Sequence, residues 1–326
     1  MSKKNDTYKC GICGAPGGEK ITALELAYGT REPFDFFQCS SCECLQIAKI
    51  PENIADHYPK DFYSYTQKKR KKNLFLKRIL RRVRTKYALE GKGFIGFLLQ
   101  HTKKPSLMLE FYADLGLKIS DSILDVGGGT GDFAWQMRSF GIEDVLAIDK
   151  FIENDVFVDG DILAKKADIF SIERQYDLIT FHHSLEHMRE QQQTLLHAKK
   201  LLKKTGRILV RIPTVTSDNW EKYGVNWMAL EVPRHFYIHS HKSIRLLADQ
   251  VGLKVTRLWS DSTIVPLWVS EQYLKGISMF AENSYGENPE KSIFNTAQIK
   301  EFQKIADDNN RRNRGDTICV LLEQID

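Results

Sequence analysis

Two stretches of this chain, with one histidine beyond them, have the residue types and spacing for chemistry. The first is Ile123-Leu124-Asp125-Val126-Gly127-Gly128-Gly129-Thr130-Gly131-Asp132, a short apolar strand running into a glycine turn that opens a helix. Gly127, Gly129 and Gly131 let a ligand approach the backbone closely, because no Cβ stands in its way. The spacing then selects the ligand. A dinucleotide fingerprint is G-x-G-x-x-G with a pyrophosphate on the helix start. Counted from Gly127, its last glycine would fall on Asp132. An acid there repels a pyrophosphate, so the G-x-G-x-G spacing suits a cofactor without phosphates.

The second is His182-His183-Ser184-Leu185-Glu186-His187, three imidazoles and a carboxylate in six residues. His183, Glu186 and His187 could hold a divalent ion. His183 or His187 could instead act alone as a base, or Glu186 and His187 could cap the loop. His235, in Pro233-Arg234-His235, is a further candidate base. Trp220, Tyr223 and Trp227 precede it and could stack on a sugar face or fill core.

A metal-binding pattern stands in front of both stretches. Cys10, Cys13, Cys39 and Cys42 form two C-x2-C knuckles 25 residues apart. Four thiolates so spaced converge tetrahedrally on Zn²⁺, and a closed four-sulfur site folds its segment rather than catalyses. Cys44 is a spare, and Cys319 in the apolar run TICVLL is expected in the core.

The elements that position these residues follow from the apolar pattern. Residues 1–50 read as a small zinc-ribbon module with a hairpin between the knuckles, and residues 51–105 as a linker. From 106 onward strands and helices alternate: SILDV, DVLAID, VFVDGDI, YDLITFHH and RILVRIP, then LKVTRLWS and TICVLLEQ. Strands separated by helices imply a doubly wound, mostly parallel α/β sheet, here seven-stranded and Rossmann-like. Residues 263–315 interrupt it with helices.

Composition narrows the class. With 42% hydrophobic and 27% charged residues, 21 Gly and 9 Pro, the chain is neither disordered nor collagen-like. It has no run of 18 apolar residues to span a bilayer. The start, MSKKNDTYKCGICG, has no apolar stretch of the secretory kind, which implies a reducing, cytoplasmic setting. Residues 68–86 (KKRKKNLFLKRILRRVRTK) carry eleven Lys and Arg and no acid, so the rest of the chain is net acidic despite the overall +5. A basic amphipathic helix of this kind lies on an anionic membrane or tracks phosphates, unless its apolar stripe packs on its own protein.

Over residues 105–260 and again at the final strand, the chain resembles the class I S-adenosylmethionine-dependent methyltransferases. DVGGGTG is similar to their first motif, which assigns Asp125, Gly127, Gly129 and Gly131 to the cofactor. The resemblance implies that Asp149 in LAIDK grips the ribose hydroxyls. It puts Asp161 and the Ile162 backbone near the adenine, and His182 beside the cofactor at the end of the fourth strand. His183-x-x-Glu186-His187 resembles the E-x-x-E-H of relatives that bind a divalent metal there, with His183 replacing the first Glu. The four-cysteine module and Pro233-Arg234-His235 resemble features of bacterial sugar and glycan methyltransferases. These features together imply O-methylation of a small, nucleotide-sugar or glycan-like acceptor near the inner membrane face. An RNA methyltransferase with a zinc ribbon and a non-catalytic scaffold are the alternatives. Nucleic acid is disfavoured by the acidic remainder and by the lack of an N-P-P-[YF] motif.

Overall fold

The structure is a computed structural model and describes residues 8–58, 70, 75–102 and 106–325. Lys68, Lys69, Lys71, Lys72 and Leu74 of the basic run lie outside the described residues. The chain divides into two compact units, one of residues 1–59, 183–195 and 209–326, the other of residues 60–182 and 196–208.

In the second unit, strands covered on both faces must be apolar along their whole length. β4 (Ile123–Val126) is buried throughout and β5 (Val145–Asp149) nearly so. β4 lies parallel to β5 and to β8 (Tyr176–His182), and β5 lies parallel to β7 (Asp161–Lys166). β6 (Val156–Val158) closes the edge antiparallel to β7. The stretch read as one third strand, VFVDGDI, is therefore a hairpin. Asp159 and Gly160 both have positive φ, 52° and 93°, as a two-residue Asp-Gly turn requires. That turn raises the strand count from seven to eight. Helices α1 (Phe75–Glu90), α2 (Phe94–Thr102), α3 (Leu107–Asp114) and α4 (Asp132–Phe140) complete this unit, and Gly141 stops α4 with φ 98°.

The first unit begins with β1 (Gly17–Leu24), β2 (Pro33–Cys39) and β3 (Leu45–Ile47), which form a sheet in the order β1-β2-β3-β10. β10 (Tyr237–Ile238) comes from nearly two hundred residues downstream and pairs antiparallel with β3. The hairpin expected between the knuckles is β1–β2. Phe36, Leu45 and Ile47 of this sheet share one core with Trp227, Leu230, Ile238, Leu267 and Trp268. The unit also holds β11 (Leu253–Ser260), β12 (Thr317–Gln324), α6 (Asp218–Tyr223), α7 (His241–Gln250), α8 (Val265–Leu274) and α9 (Thr296–Arg311). Ser240 caps α7 with a capping box, as its position implies, and Cys319 on β12 is fully buried.

α5 (Gln191–Lys200) and β9 (Leu202–Pro213) run through both units. β9 starts at Leu202, earlier than the Gly206 start read from sequence, because the apolar pair Leu201-Leu202 suits a helix end and a strand start equally. The large sheet has the order β11-β12-β9-β8-β4-β5-β7-β6.

Candidate active site

In the second unit, the turn after β4 has the geometry of a ligand cradle. Gly127, Gly129 and Gly131 have φ of 74°, 53° and 85°, values that an L side chain resists. Gly128 is needed for space. A Cβ there would stand 2.3 Å from Asp125 Oδ2 and 3.0 Å from the Ala147 Cβ. Asp125 is buried, and its Oδ1 accepts from the Thr180 hydroxyl at 2.7 Å. Burial, helped by the Asp149 charge, raises its carboxyl to about 7 against the Thr180 hydrogen bond.

Asp149 ends β5 and faces the same turn. Its Oδ2 accepts from Gly129 N at 3.0 Å and its Oδ1 from Phe151 N at 2.8 Å. His182 ends β8. Its Nε2 lies 3.0 Å from the Tyr112 hydroxyl, and its ring is 4.6 Å from that of Phe133 on α4. The sequence pattern places Asp125, Asp149 and His182 on separate strands, and the fold gives each a position at a carboxyl strand end or beside the glycine turn. Tyr112 and Phe133 carried no signal beyond apolar character.

Asp161 and Ile162 stand elsewhere. The register pairs Asp149 with Lys166, at the carboxyl end of β7, while Asp161 opens that strand. At ~3.3 Å per residue the two ends of β7 are about 16 Å apart. Ile162 O is taken by Arg138 Nη2 at 2.7 Å. The expected strand is a hairpin, which moves its carboxyl end from Ile162 to Lys166. Asp168 follows β7, accepts from Phe170 N at 3.2 Å and has Lys150 Nζ at 3.9 Å. It holds the strand-end position that Asp161 was expected to hold.

In the first unit, the loop after His182 builds a buried charged cluster. His183 has φ 51°, and its Nε2 is 2.6 Å from Arg211 Nη1. A guanidinium only donates, so this contact occupies the Nε2 lone pair and leaves the proton on Nδ1, 3.5 Å from Glu186 Oε1. Arg211 is itself held by Asp261 at 2.6 Å. His187 Nδ1 is 2.8 Å from the Arg234 carbonyl, and His235 Nδ1 is 2.8 Å from the Ala229 carbonyl. A carbonyl only accepts, so both rings carry their proton on Nδ1 and keep Nε2 for another partner.

Glu186 is fully buried, and among the described residues neither of its carboxylate oxygens has a hydrogen-bond partner. Burial works against its charge, yet His183, His187 and His235 hold it below the ordinary carboxylate range. His235 Nε2 lies 3.9 Å from Glu186 and 3.4 Å from Glu231. Burial lowers His235 to about 4, against the pull of Glu231. Glu231 itself stays ionised at about 2, because His235 and Arg234 outweigh its own desolvation. Glu186, His187 and His235 bring ligand atoms within 4.8 Å of one another. The His183-Glu186-His187 set read from sequence thus exchanges His183 for His235, since Arg211 claims His183. Glu231 was missed, although it stands only four residues before His235.

Trp220, Tyr223 and Trp227 belong to the core rather than to a sugar platform. Trp227 is buried and its Nε1 donates to Asp316 at 3.0 Å; Tyr223 donates to Glu271 at 2.9 Å.

All six cysteines are free thiols, and Cys10, Cys13, Cys39 and Cys42 cluster within 4.8 Å. The sulfur pairs Cys10–Cys42 and Cys13–Cys39 are each 3.5 Å apart. Tetrahedral zinc with ~2.3 Å bonds needs sulfurs about 3.8 Å apart, so the residues fit that ion. Gln46 Nε2 donates to Cys10 Sγ at 2.9 Å, and Ile12 N and Cys13 N approach it at 3.4 Å, the outer-shell support a thiolate ligand uses. Cys44 lies outside the cluster, buried against Leu45 O.

Among solved structures, the chain is similar to a SAM-dependent methyltransferase from Archaeoglobus fulgidus, at 16% identity over 70% of this chain and 99% of that one, TM-score 0.41. It is similar to a Mesorhizobium loti S-adenosylmethionine-dependent methyltransferase at 14% identity over 62% and 90%, TM-score 0.38. A coclaurine N-methyltransferase bound to N-methylheliamine and SAH matches at 16% identity over 76% and 78%, TM-score 0.40. No curated protein matches the chain. The family model described as a methyltransferase domain matches residues 86–258, more than half of the sequence and including the glycine turn, Asp149 and the histidine loop. The chain therefore belongs to the methyltransferase-domain family, the S-adenosylmethionine-dependent enzymes that its glycine turn resembles.

Proposed function

We propose that this protein transfers the methyl group of S-adenosylmethionine to an oxygen of a sugar, nucleotide-sugar or glycan-like acceptor. The glycine turn and Asp149 would seat the donor, and Asp168 would serve the adenine in place of Asp161. Methyl transfer from a sulfonium is an in-line displacement, so the protein mainly aligns the two reactants. A hydroxyl acceptor must also lose a proton. The observation that carries this reading is Glu186, a fully buried carboxylate with no hydrogen-bond partner among the described residues, His235 Nε2 3.9 Å away and a ligand atom of His187 within 4.8 Å.

Glu231 is paired with the Arg234 guanidinium, whose Nε donates to it at 3.0 Å, but among the described residues no guanidinium or ammonium pairs with Glu186, and burial works against a charge on His235. We therefore favour a divalent cation held by Glu186, His187 and His235. Such an ion lowers the pKa of a hydroxyl it touches. His187 and His235 are oriented for this by their backbone carbonyls, as metal-bound histidines are. A structural zinc on the four cysteines belongs to the same proposal.

The acceptor class rests on the resemblance of the cysteine module and of Pro233-Arg234-His235. The membrane face is supported by exposed Ile79 and Leu80 beside Arg78 on α1. No helix among the described residues is long and apolar enough to cross a membrane.

The test is Glu186→Gln, assayed with nucleotide sugars and glycan lipids. Turnover to S-adenosylhomocysteine should fall by about 100-fold or more, and Mn²⁺ binding followed by electron paramagnetic resonance should disappear while S-adenosylhomocysteine still binds. Full activity in this variant would remove the cluster from the reaction. Methylation of an RNA pool instead of glycans would replace the acceptor class.

A further inference from the structure

The basic run is not one uniform surface. Arg82 Nη1 donates to Gly141 O at 2.7 Å, and Arg78 and Arg82 approach Glu143 at 3.7 and 3.5 Å. Arg70 goes furthest inward, with only 7% of its side chain exposed. Its Nη2 donates to the Thr130 carbonyl at 2.7 Å and to Asp132 Oδ1 at 3.2 Å, both on the cofactor turn. Its Nε and Nη1 are buried and have no acceptor among the described residues.

A buried guanidinium with two unmet donors costs free energy that a bound acceptor would recover. Asp132 does not answer this need, because it meets only Nη2 and is half exposed. The turn therefore has two chemically different ends: Asp149 binds it at Gly129 and accepts hydroxyls, while Arg70 binds it at Thr130 and Asp132 and calls for an anion. The start of α4 adds the partial positive charge of a helix N-terminus at the same place. S-adenosylmethionine carries a sulfonium, an ammonium and one anionic group, the carboxylate of its amino-acid end.

We propose that Arg70 binds the carboxylate of S-adenosylmethionine, so that a residue of the basic run recognises the amino-acid half of the donor while Asp149 recognises the ribose. This rests on the donor reading given above and adds an assignment that the glycine motif does not contain. Arg70 is a cofactor-binding residue in this scheme, with no role in moving the methyl group.

The experiment compares two ligands on the full chain by calorimetry. S-adenosylhomocysteine has the carboxylate; 5′-methylthioadenosine has the same nucleoside and sulfur but lacks the amino acid. Arg70→Gln should weaken S-adenosylhomocysteine about 10- to 100-fold, the range for a charged hydrogen bond, and leave methylthioadenosine within twofold. Arg70→Lys should recover part of the loss, and Asp149→Ala should weaken both ligands. Equal affinity of wild type and Arg70→Gln for S-adenosylhomocysteine would overturn the proposal. So would an equal loss of both ligands, which would mean that Arg70 only braces the turn; thermal melts of each variant show whether the turn has collapsed. If the wild-type protein bound neither compound, the donor reading itself would fall.

Discussion

Asp125 shows what a single side chain does to the cofactor turn. It is buried under Gly128 and raised to about 7, against about 3.9 for an exposed aspartate. The folded protein therefore binds a proton here that the unfolded chain has already released. Its stabilising contribution is complete below about pH 4 and is lost as the pH rises through 7. Asp125→Asn keeps an acceptor for Thr180 and removes the titration. Across pH 4 to 7 its melting temperature should gain steadily on that of wild type and then run parallel above pH 7. Parallel melting curves throughout would show that Asp125 does not titrate in this window. At this scale the sequence was legible where structure depends on residue type, as in the left-handed glycines and the four clustered cysteines. It said nothing of which histidine Arg211 would occupy, because that depends on a contact between positions 28 residues apart.

Among the elements, the β6–β7 hairpin and β10 were the hardest to read. VFVDGDI has the apolar content of one strand, and only the Asp-Gly pair marks the reversal; missing it put Asp161 near a carboxyl strand end that the fold places at Lys166, just before Asp168. β10 is two residues long, too short for any periodicity, yet it ties the cysteine-bearing sheet to the loop that carries His235. Phe236 N donates to Glu186 O, and Ile47 N donates to Phe236 O. Ser240 Oγ donates to the Cys42 carbonyl, and Gln250 Nε2 to the Ile12 carbonyl. The cysteine cluster thus supports residues 235–240 mechanically. Cys39→Ser, or zinc chelation, should cost several kcal/mol of stability. Turnover should fall with it. The check is calorimetric melting with parallel turnover measurement; an unaltered melt would mean that these four thiols bind no metal of structural weight.

For the whole molecule, the α/β class and the order of motifs were legible because apolar strands and glycine stops recur along the chain. The way the chain distributes itself was not. The first unit is assembled from three separate segments, and the cysteine-rich start shares a core with residues far downstream. Nearest-neighbour patterns carry no trace of such long-range partnership. The surface of the α1–α2 pair has a consequence of its own. Phe94, Ile95 and Leu98 are 74, 61 and 51% exposed, near a helix rich in arginine. If the protein works on a membrane-borne acceptor, it should sediment with phosphatidylglycerol vesicles and not with phosphatidylcholine ones. Replacing Arg81, Arg84 and Lys86 by Ser should weaken that partition about 100-fold at low salt. Failure to sediment with either lipid would leave α1 and α2 to another role.

The end of β8 puts two imidazoles side by side in the chain under opposite obligations. His182 belongs to the unit with the glycine turn and answers to a phenol. His183, one peptide bond later, turns onto a left-handed backbone and is pinned by a guanidinium. Neighbouring letters of a motif therefore need not share a job. A scan that replaced the pair together would merge two separate defects into one phenotype, whereas single replacements would tell loss of the Tyr112 contact from loss of the Arg211 contact.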